Sequence, residues 1–130
     1  PAMIRKMHEA KVNDKPKVTF WGTGNPFREF LYVDDLASAV LFSIENKLSQ
    51  SIYNVGYGSD ISIKNLSELV KKIVGYKGRI LWDDSKPDGT PKKLMNSERL
   101  SKLNWNPSVK LSDGIKKTYN WNIKNFENND

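Results

Sequence analysis

The chain has 130 residues, with 21 Lys and Arg against 15 Asp and Glu, no Cys and one His. That length suits one modest core. The lack of Cys excludes a disulfide framework and fits a reducing, cytoplasmic setting; with only His8 besides, no zinc site is expected. No apolar run approaches the roughly 18 residues of a membrane helix, and the basic start lacks the long apolar stretch of a secretory leader. The net charge of +6 is spread over scattered lysines rather than gathered in a block, which reads as a solvated surface rather than a nucleic-acid track.

Residues 2–12 read as a helix, with Met3, Ile4, Met7 and Ala10 on one stripe. The chain starts on Pro1 and in the middle of that pattern, so we expect a piece of a longer protein. Asn13-Asp14-Lys15-Pro16 breaks the helix. Val18 to Trp21 is a predicted strand, Gly22 to Pro26 a turn, and the alternation from Glu29 to Val33 a second strand. Asp34 is the expected cap of a helix reaching Glu45, whose apolar stripe is Leu36, Ala37, Val40, Leu41 and Ile44. Ile52 to Val55 reads as a strand ending in Gly56-Tyr57-Gly58. Ser62 caps the next helix, with Leu66, Leu69, Val70, Ile73 and Val74 on its inner face, and Gly75 ends it. A third strand, Arg79 to Trp82, leads into a polar loop from Asp83 to Pro91. Glu98 to Leu103 is a short helix and Leu111 to Phe126 a long one, and residues 127–130 are expected to fray. The layout is mixed α/β, with short strands and amphipathic helices. It lacks the long apolar strands of a buried doubly wound sheet.

Two glycine runs begin like a dinucleotide fingerprint. Gly22-Thr23-Gly24-Asn25-Pro26-Phe27 and Gly56-Tyr57-Gly58-Ser59-Asp60-Ile61 both put a large residue where the third glycine is needed. We read both as tight turns. A Tyr-x-x-x-Lys pair is absent: four residues after Tyr32, Tyr53, Tyr57, Tyr76 and Tyr119 stand Leu36, Tyr57, Ile61, Ile80 and Ile123. His8 has no nucleophile partner at a telling spacing and reads as a surface helix residue.

Two places carry more chemistry. Arg28 sits between a rigid turn and a strand, and a guanidinium fork grips phosphate through two bonds. Its plain alternative is a surface ion pair with Glu29 or Asp34. Trp21, beside the same turn, is suited either to stacking on a ring or to core packing. The loop Ser85-Lys86-Pro87-Asp88-Gly89-Thr90-Pro91-Lys92-Lys93 offers three lysines, with two prolines that limit the entropy lost on binding. An exposed loop with solvated charges is the plain alternative there. The doublets Asp34-Asp35 and Asp83-Asp84 read as a helix cap and a loop start rather than as metal ligands.

Taken in order, Trp21-Gly22-Thr23-Gly24, Arg28-Glu29-Phe30-Leu31, Val33-Asp34-Asp35, Asn54-Val55-Gly56, Val74-Gly75-Tyr76-Lys77-Gly78 and Lys86-Pro87-Asp88-Gly89-Thr90-Pro91-Lys92-Lys93-Leu94 resemble the C-terminal third of the GDP-L-fucose synthase family. These are NADPH-dependent GDP-4-keto-6-deoxy-D-mannose epimerase/reductases of the extended short-chain dehydrogenase/reductase group. The R-E-F-x-x-V-D-D segment is shared by many nucleotide-sugar epimerases, and the Lys86 loop narrows the likeness to fucose synthases. The resemblance implies the small α/β substrate domain of a Rossmann-type enzyme, spanning residues 1–126, without its N-terminal Rossmann domain. By position it implies substrate contacts at Lys6, Trp21, Arg28 and Lys86. The family commonly has Arg where Lys6 stands; the charge is kept and the fork is lost. Leu103-Asn104-Trp105 stands in place of a usual Leu-Gly-Trp.

The resemblance also implies that NADP(H), the Ser-Tyr-Lys set and the acid/base Cys and His belong to sequence outside this chain. The chain then carries no catalytic or cofactor-binding residue and is inactive alone, while holding a GDP-sugar for a reaction performed elsewhere. The alternatives are the C-terminal domain of another NAD-dependent nucleotide-sugar epimerase or dehydratase, a stand-alone interaction domain, or, more remotely, a nucleic-acid-binding module. Neither nucleic acid nor membrane is an expected partner. An apolar face left bare by the missing domain is expected to promote self-association.

Overall fold

The computed structural model describes residues 2–126, so the expected frayed tail, 127–130, lies outside the described residues. Helix α1 (Ala2–Val12) turns Ile4, Met7 and Ala10 inward, as its spacing requires. Its end is fixed by the Asn13 side-chain amide donating to the Glu9 carbonyl at 2.7 Å and by Asp14 at φ +47°. Strand β1 (Lys17–Trp21) follows and pairs in parallel with β4 (Arg79–Asp83), Lys17 opposite Arg79 through Trp21 opposite Asp83.

The second predicted strand is shorter and earlier than expected: β2 is Phe27–Glu29, and residues 30–32 leave the sheet before helix α2 (Val33–Glu45) begins. β2 is the centre of a second sheet, antiparallel to β3 (Asp60–Ser62) and parallel to β5 (Lys92–Lys93). No strand forms at Ile52 to Val55, contrary to the sequence reading. That segment is held by side chains instead of a ladder. Arg99 donates to the Ile52 carbonyl at 3.0 Å and Asn54 donates to the Asn96 carbonyl at 3.0 Å.

Helix α3 (Ile63–Val74) follows the sequence rules closely. The Ser62 hydroxyl accepts from the Asn65 amide at 3.1 Å, and Gly75 closes the helix at φ +73°. The C-terminal part holds α4 (Glu98–Ser101), shorter than predicted, and α5 (Leu111–Phe126). The main core joins α1, β1, α3 and α5 through residues such as Met7, Val18, Val70, Val74, Ile115 and Tyr119. The Tyr76 ring is buried there with its hydroxyl donating to the Lys15 carbonyl at 2.8 Å. A smaller cluster unites Ala39 of α2, Leu100 of α4 and Trp105. His8 is half-buried rather than free on the surface, with Nδ1 3.1 Å from the Tyr119 hydroxyl.

Helix α2 departs furthest from its sequence pattern. Tyr32 stands at the N-cap position with no side-chain cap, and Asp34 and Asp35 fall in the first turn. There they favour the helix dipole without capping it. Asp35 is only 3% exposed. Its Oδ1 accepts from the Ser108 amide and hydroxyl, both at 2.9 Å, and its Oδ2 from the Val109 amide at 3.1 Å. Burial pushes this carboxyl up, but those hydrogen bonds and Lys117 outweigh it and hold the group below its ordinary value. The face bearing Asp35, Ala39 and Phe42 packs inward. The predicted stripe lies on the opposite side: Leu36, Ala37, Val40, Leu41 and Ile44 are all exposed, Ile44 at 76%, and Val33 is exposed beside them. Among the described residues no helix is long and apolar enough to cross a membrane.

Candidate functional site

Because β1 and β4 run in parallel, their C-terminal ends emerge side by side, the edge where α/β sheets bind ligands. The turn after Trp21 and the loop after Asp83 both start there. The Gly22 amide donates to the Asp83 carbonyl at 2.8 Å, so the two segments leave the sheet together. Gly22 and Gly24 both have φ +78°, which no other residue type adopts cheaply. They are also places of close approach. A Cβ on Gly22 would lie 2.2 Å from Asp88 Oδ1, and one on Gly24 would lie 2.7 Å from the Trp82 ring. The first glycine run is therefore a packed turn leading into β2, and the second, Gly56 to Gly58, leads into β3. Neither opens a helix, so neither fits a dinucleotide pyrophosphate.

The turn and the loop are latched. Asp88 Oδ1 accepts from the Thr23 amide at 2.7 Å, and Oδ2 accepts from the Thr23 hydroxyl. The Thr23 hydroxyl and amide hold the Asp88 carboxyl below its ordinary value. At its start the loop is tied by the Asp83 carboxylate, which accepts from the Ser85 amide and hydroxyl. At its end the Phe27 amide donates to the Pro91 carbonyl at 2.8 Å.

Three of the four sequence-predicted residues gather around this latch. Trp21 is 75% exposed, so it does not pack into this chain's core. Lys86 places its ammonium 5.9 Å from the centre of the Trp21 ring, a cation–π distance. Arg28, half-buried on β2, donates to the Phe27 carbonyl at 2.6 Å and points Nη2 toward Gly89, 3.8 Å from where a Cβ there would stand. The ion pair expected as an alternative does not form among the described residues. Glu29 is occupied elsewhere, accepting from the Gly58 amide at 2.7 Å and the Met95 amide at 3.1 Å. Lys6 stands apart from the loop: its ammonium donates to the Thr19 carbonyl, two residues before Trp21 on β1, and lies 5.4 Å from the Phe20 ring centre.

Sequence reasoning missed the roles of Thr23, Asp88 and Glu29, which hold loops rather than offer charge. The one legible signal was the acidic residue set between Pro87 and Gly89 amid lysines. It also missed an apolar cavity of about 230 Å³ between α1, α3, α5 and residues 30–32, lined by Met3, Phe30, Tyr32, Leu66 and Leu111 among others. None of Lys6, Trp21, Arg28 or Lys86 lines it.

The parallel strand ends, the latched loop and the acidic start of α2 belong to one small α/β unit. Residues 1–56 match the model of the NAD dependent epimerase/dehydratase family. The particular likeness is to GDP-L-fucose synthases. The chain is 50% identical over 128 residues to GDP-L-fucose synthase 1 of Arabidopsis thaliana, covering 98% of this chain and 40% of that protein. It superimposes on a GDP-L-fucose synthetase from Naegleria fowleri bound to NADP with a TM-score of 0.89 and 27% identity, over 98% of this chain and 40% of that one. A GDP-6-OMe-4-keto-L-xylo-heptose reductase from Campylobacter jejuni gives 0.86 and 32%, over 96% and 47%. The resemblance read from the motifs is borne out, as is the α/β class. The chain spans about two-fifths of the length of the curated relatives it matches.

Proposed function

We propose that this chain is the sugar-nucleotide-binding portion of an NADPH-dependent GDP-4-keto-6-deoxy-D-mannose 3,5-epimerase/4-reductase. Residues 1–126 serve as the substrate domain, and a Rossmann domain corresponding to the relatives' remaining length binds NADP(H). The observation that carries this reading is the pairing of Arg28 and Lys86 around one ordered loop, neither ion-paired among the described residues, with the Trp21 ring beside them. A guanidinium fork and an ammonium suit a diphosphate, and an exposed indole suits the ring or sugar attached to it. Lys6, apart from the loop, adds one more cation along β1 at the Thr19 carbonyl.

The chain's own residues bind and orient; none of them is assigned a proton or hydride step. Its glycine turns lead into strands rather than helices and do not fit a dinucleotide pyrophosphate. A cytoplasmic setting goes with this reading and with a cysteine-free sequence.

The test is to express the whole reading frame that contains this sequence. That protein is expected to consume NADPH with GDP-4-keto-6-deoxy-D-mannose, and the 130-residue chain is expected to show no turnover. Binding of UDP-sugars without GDP-sugars by the whole protein would favour the other nucleotide-sugar enzymes. Turnover by the short chain alone would overturn the proposal.

A further inference from the structure

Asp88 lies within a loop whose neighbours are cations, yet it binds neither. Both of its oxygens are taken by Thr23, one by the amide and one by the hydroxyl. Among the described residues it forms no ion pair, and neither does Arg28 or Lys86. Without this contact, the loop would be tied only at Asp83, which holds Ser85 and the Lys86 amide, and at Pro91, with Pro87 to Thr90 loose between them. With it, Lys86 rests over the Trp21 ring and Gly89, at φ +51°, passes beside the Arg28 guanidinium. Gly22 is part of the same device. A side chain there would occupy the position of Asp88 Oδ1.

We propose that Asp88, through Thr23, is a positioning residue that pre-orders the Lys86 loop for the diphosphate while leaving both cations uncompensated. A carboxylate placed on Arg28 or Lys86 instead would compete with the ligand for the same charge. Spent on an uncharged threonine, it orders the loop before binding, so less entropy is lost when the anion arrives. The inference rests on the diphosphate reading above and adds a residue that touches no ligand.

Two readouts on the 130-residue chain test it, with Asp88→Ala, Thr23→Ala, the double variant of these two, Thr23→Ser and Arg28→Ala as variants. The first needs no ligand. In the native chain the Trp21 ring current is expected to shift the Lys86 side-chain methylene resonances upfield, since the Lys86 ammonium lies 5.9 Å from the ring centre. Asp88→Ala and Thr23→Ala are expected to return them to random-coil positions with the rest of the spectrum unchanged, while Thr23→Ser, which keeps the hydroxyl, retains the shift. The second is calorimetry with GDP as probe. Asp88→Ala and Thr23→Ala are expected to weaken GDP by about tenfold, the double variant no further than either, and Thr23→Ser by less than about twofold. Persistence of the Lys86 shift in Asp88→Ala overturns the inference. So does native GDP affinity in Asp88→Ala where Arg28→Ala loses it, and in that case the diphosphate reading stands. If Arg28→Ala leaves GDP binding untouched, the diphosphate reading fails and the inference falls with it.

Discussion

Replacing Asp35 offers a sharp energetic test of how α2 is held. The carboxylate is 3% exposed and accepts three hydrogen bonds from Ser108 and Val109, so it joins the start of α2 to the segment before α5. In Asp35→Ala the Ser108 hydroxyl turns to another partner, but two backbone amides lose theirs. Each such loss costs about 1–3 kcal/mol, giving about 3 kcal/mol in all. Asp35→Asn keeps one acceptor and aims its NH2 at an amide, for about 2 kcal/mol. With a urea m-value of roughly 1.5 kcal/mol/M, Asp35→Ala lowers the unfolding midpoint by about 2 M. The effect has a pH signature. The folded-state pKa is depressed, so the stabilisation is fully present above the unfolded value of about 3.9 and is lost as pH falls through the folded value. The gap between native and Asp35→Asn midpoints therefore narrows on acidification below about pH 4. Equal midpoints at neutral pH, or a gap that does not change with acid, would refute the reasoning.

Two other predictions concern the turn and the bare face. Gly24→Ala must place a side chain at φ +78° against the Trp82 ring, so we expect a loss of about 2 kcal/mol or more by urea denaturation, and weaker GDP binding because the turn carrying Thr23 shifts. The exposed Val33, Val40 and Ile44 line of α2 is expected to drive self-association of the isolated chain. Val40→Glu with Ile44→Glu should change unfolding free energy by under about 0.5 kcal/mol while light scattering shifts from oligomer to monomer. A native chain that scatters as a monomer at high concentration would refute this.

Much of the fold was legible because local chemistry and tertiary context agree. Ser62, the Leu66 to Val74 stripe and Gly75 make a helix whatever surrounds them, and α3 has those bounds. At α2 they disagree. Its stripe also recurs at helical spacing, yet the structure buries the other side, through Ala39 and a hydrogen-bonded Asp35. Periodicity shows that a face seeks cover, not that this chain supplies it. Ile52 to Val55 also reads as a strand, but side-chain hydrogen bonds from Arg99 and Asn54 hold it instead of a ladder. At the site, Trp21, Arg28 and Lys86 were legible through their charge, rigidity and family likeness. Thr23 and Asp88 were not, because their pairing spans 65 positions and depends on two glycines whose close approach only the fold shows.

The central claim is that Trp21, Arg28 and Lys86 form one diphosphate-binding surface. The most direct measurement is an amide and indole chemical-shift titration of the chain with GDP. The account predicts saturable shifts centred on the Trp21 indole and the Gly22, Gly24 and Gly89 amides, abolished in Arg28→Ala. Absent shifts, or shifts centred on the apolar cavity around Gly114 and Thr118, would contradict it.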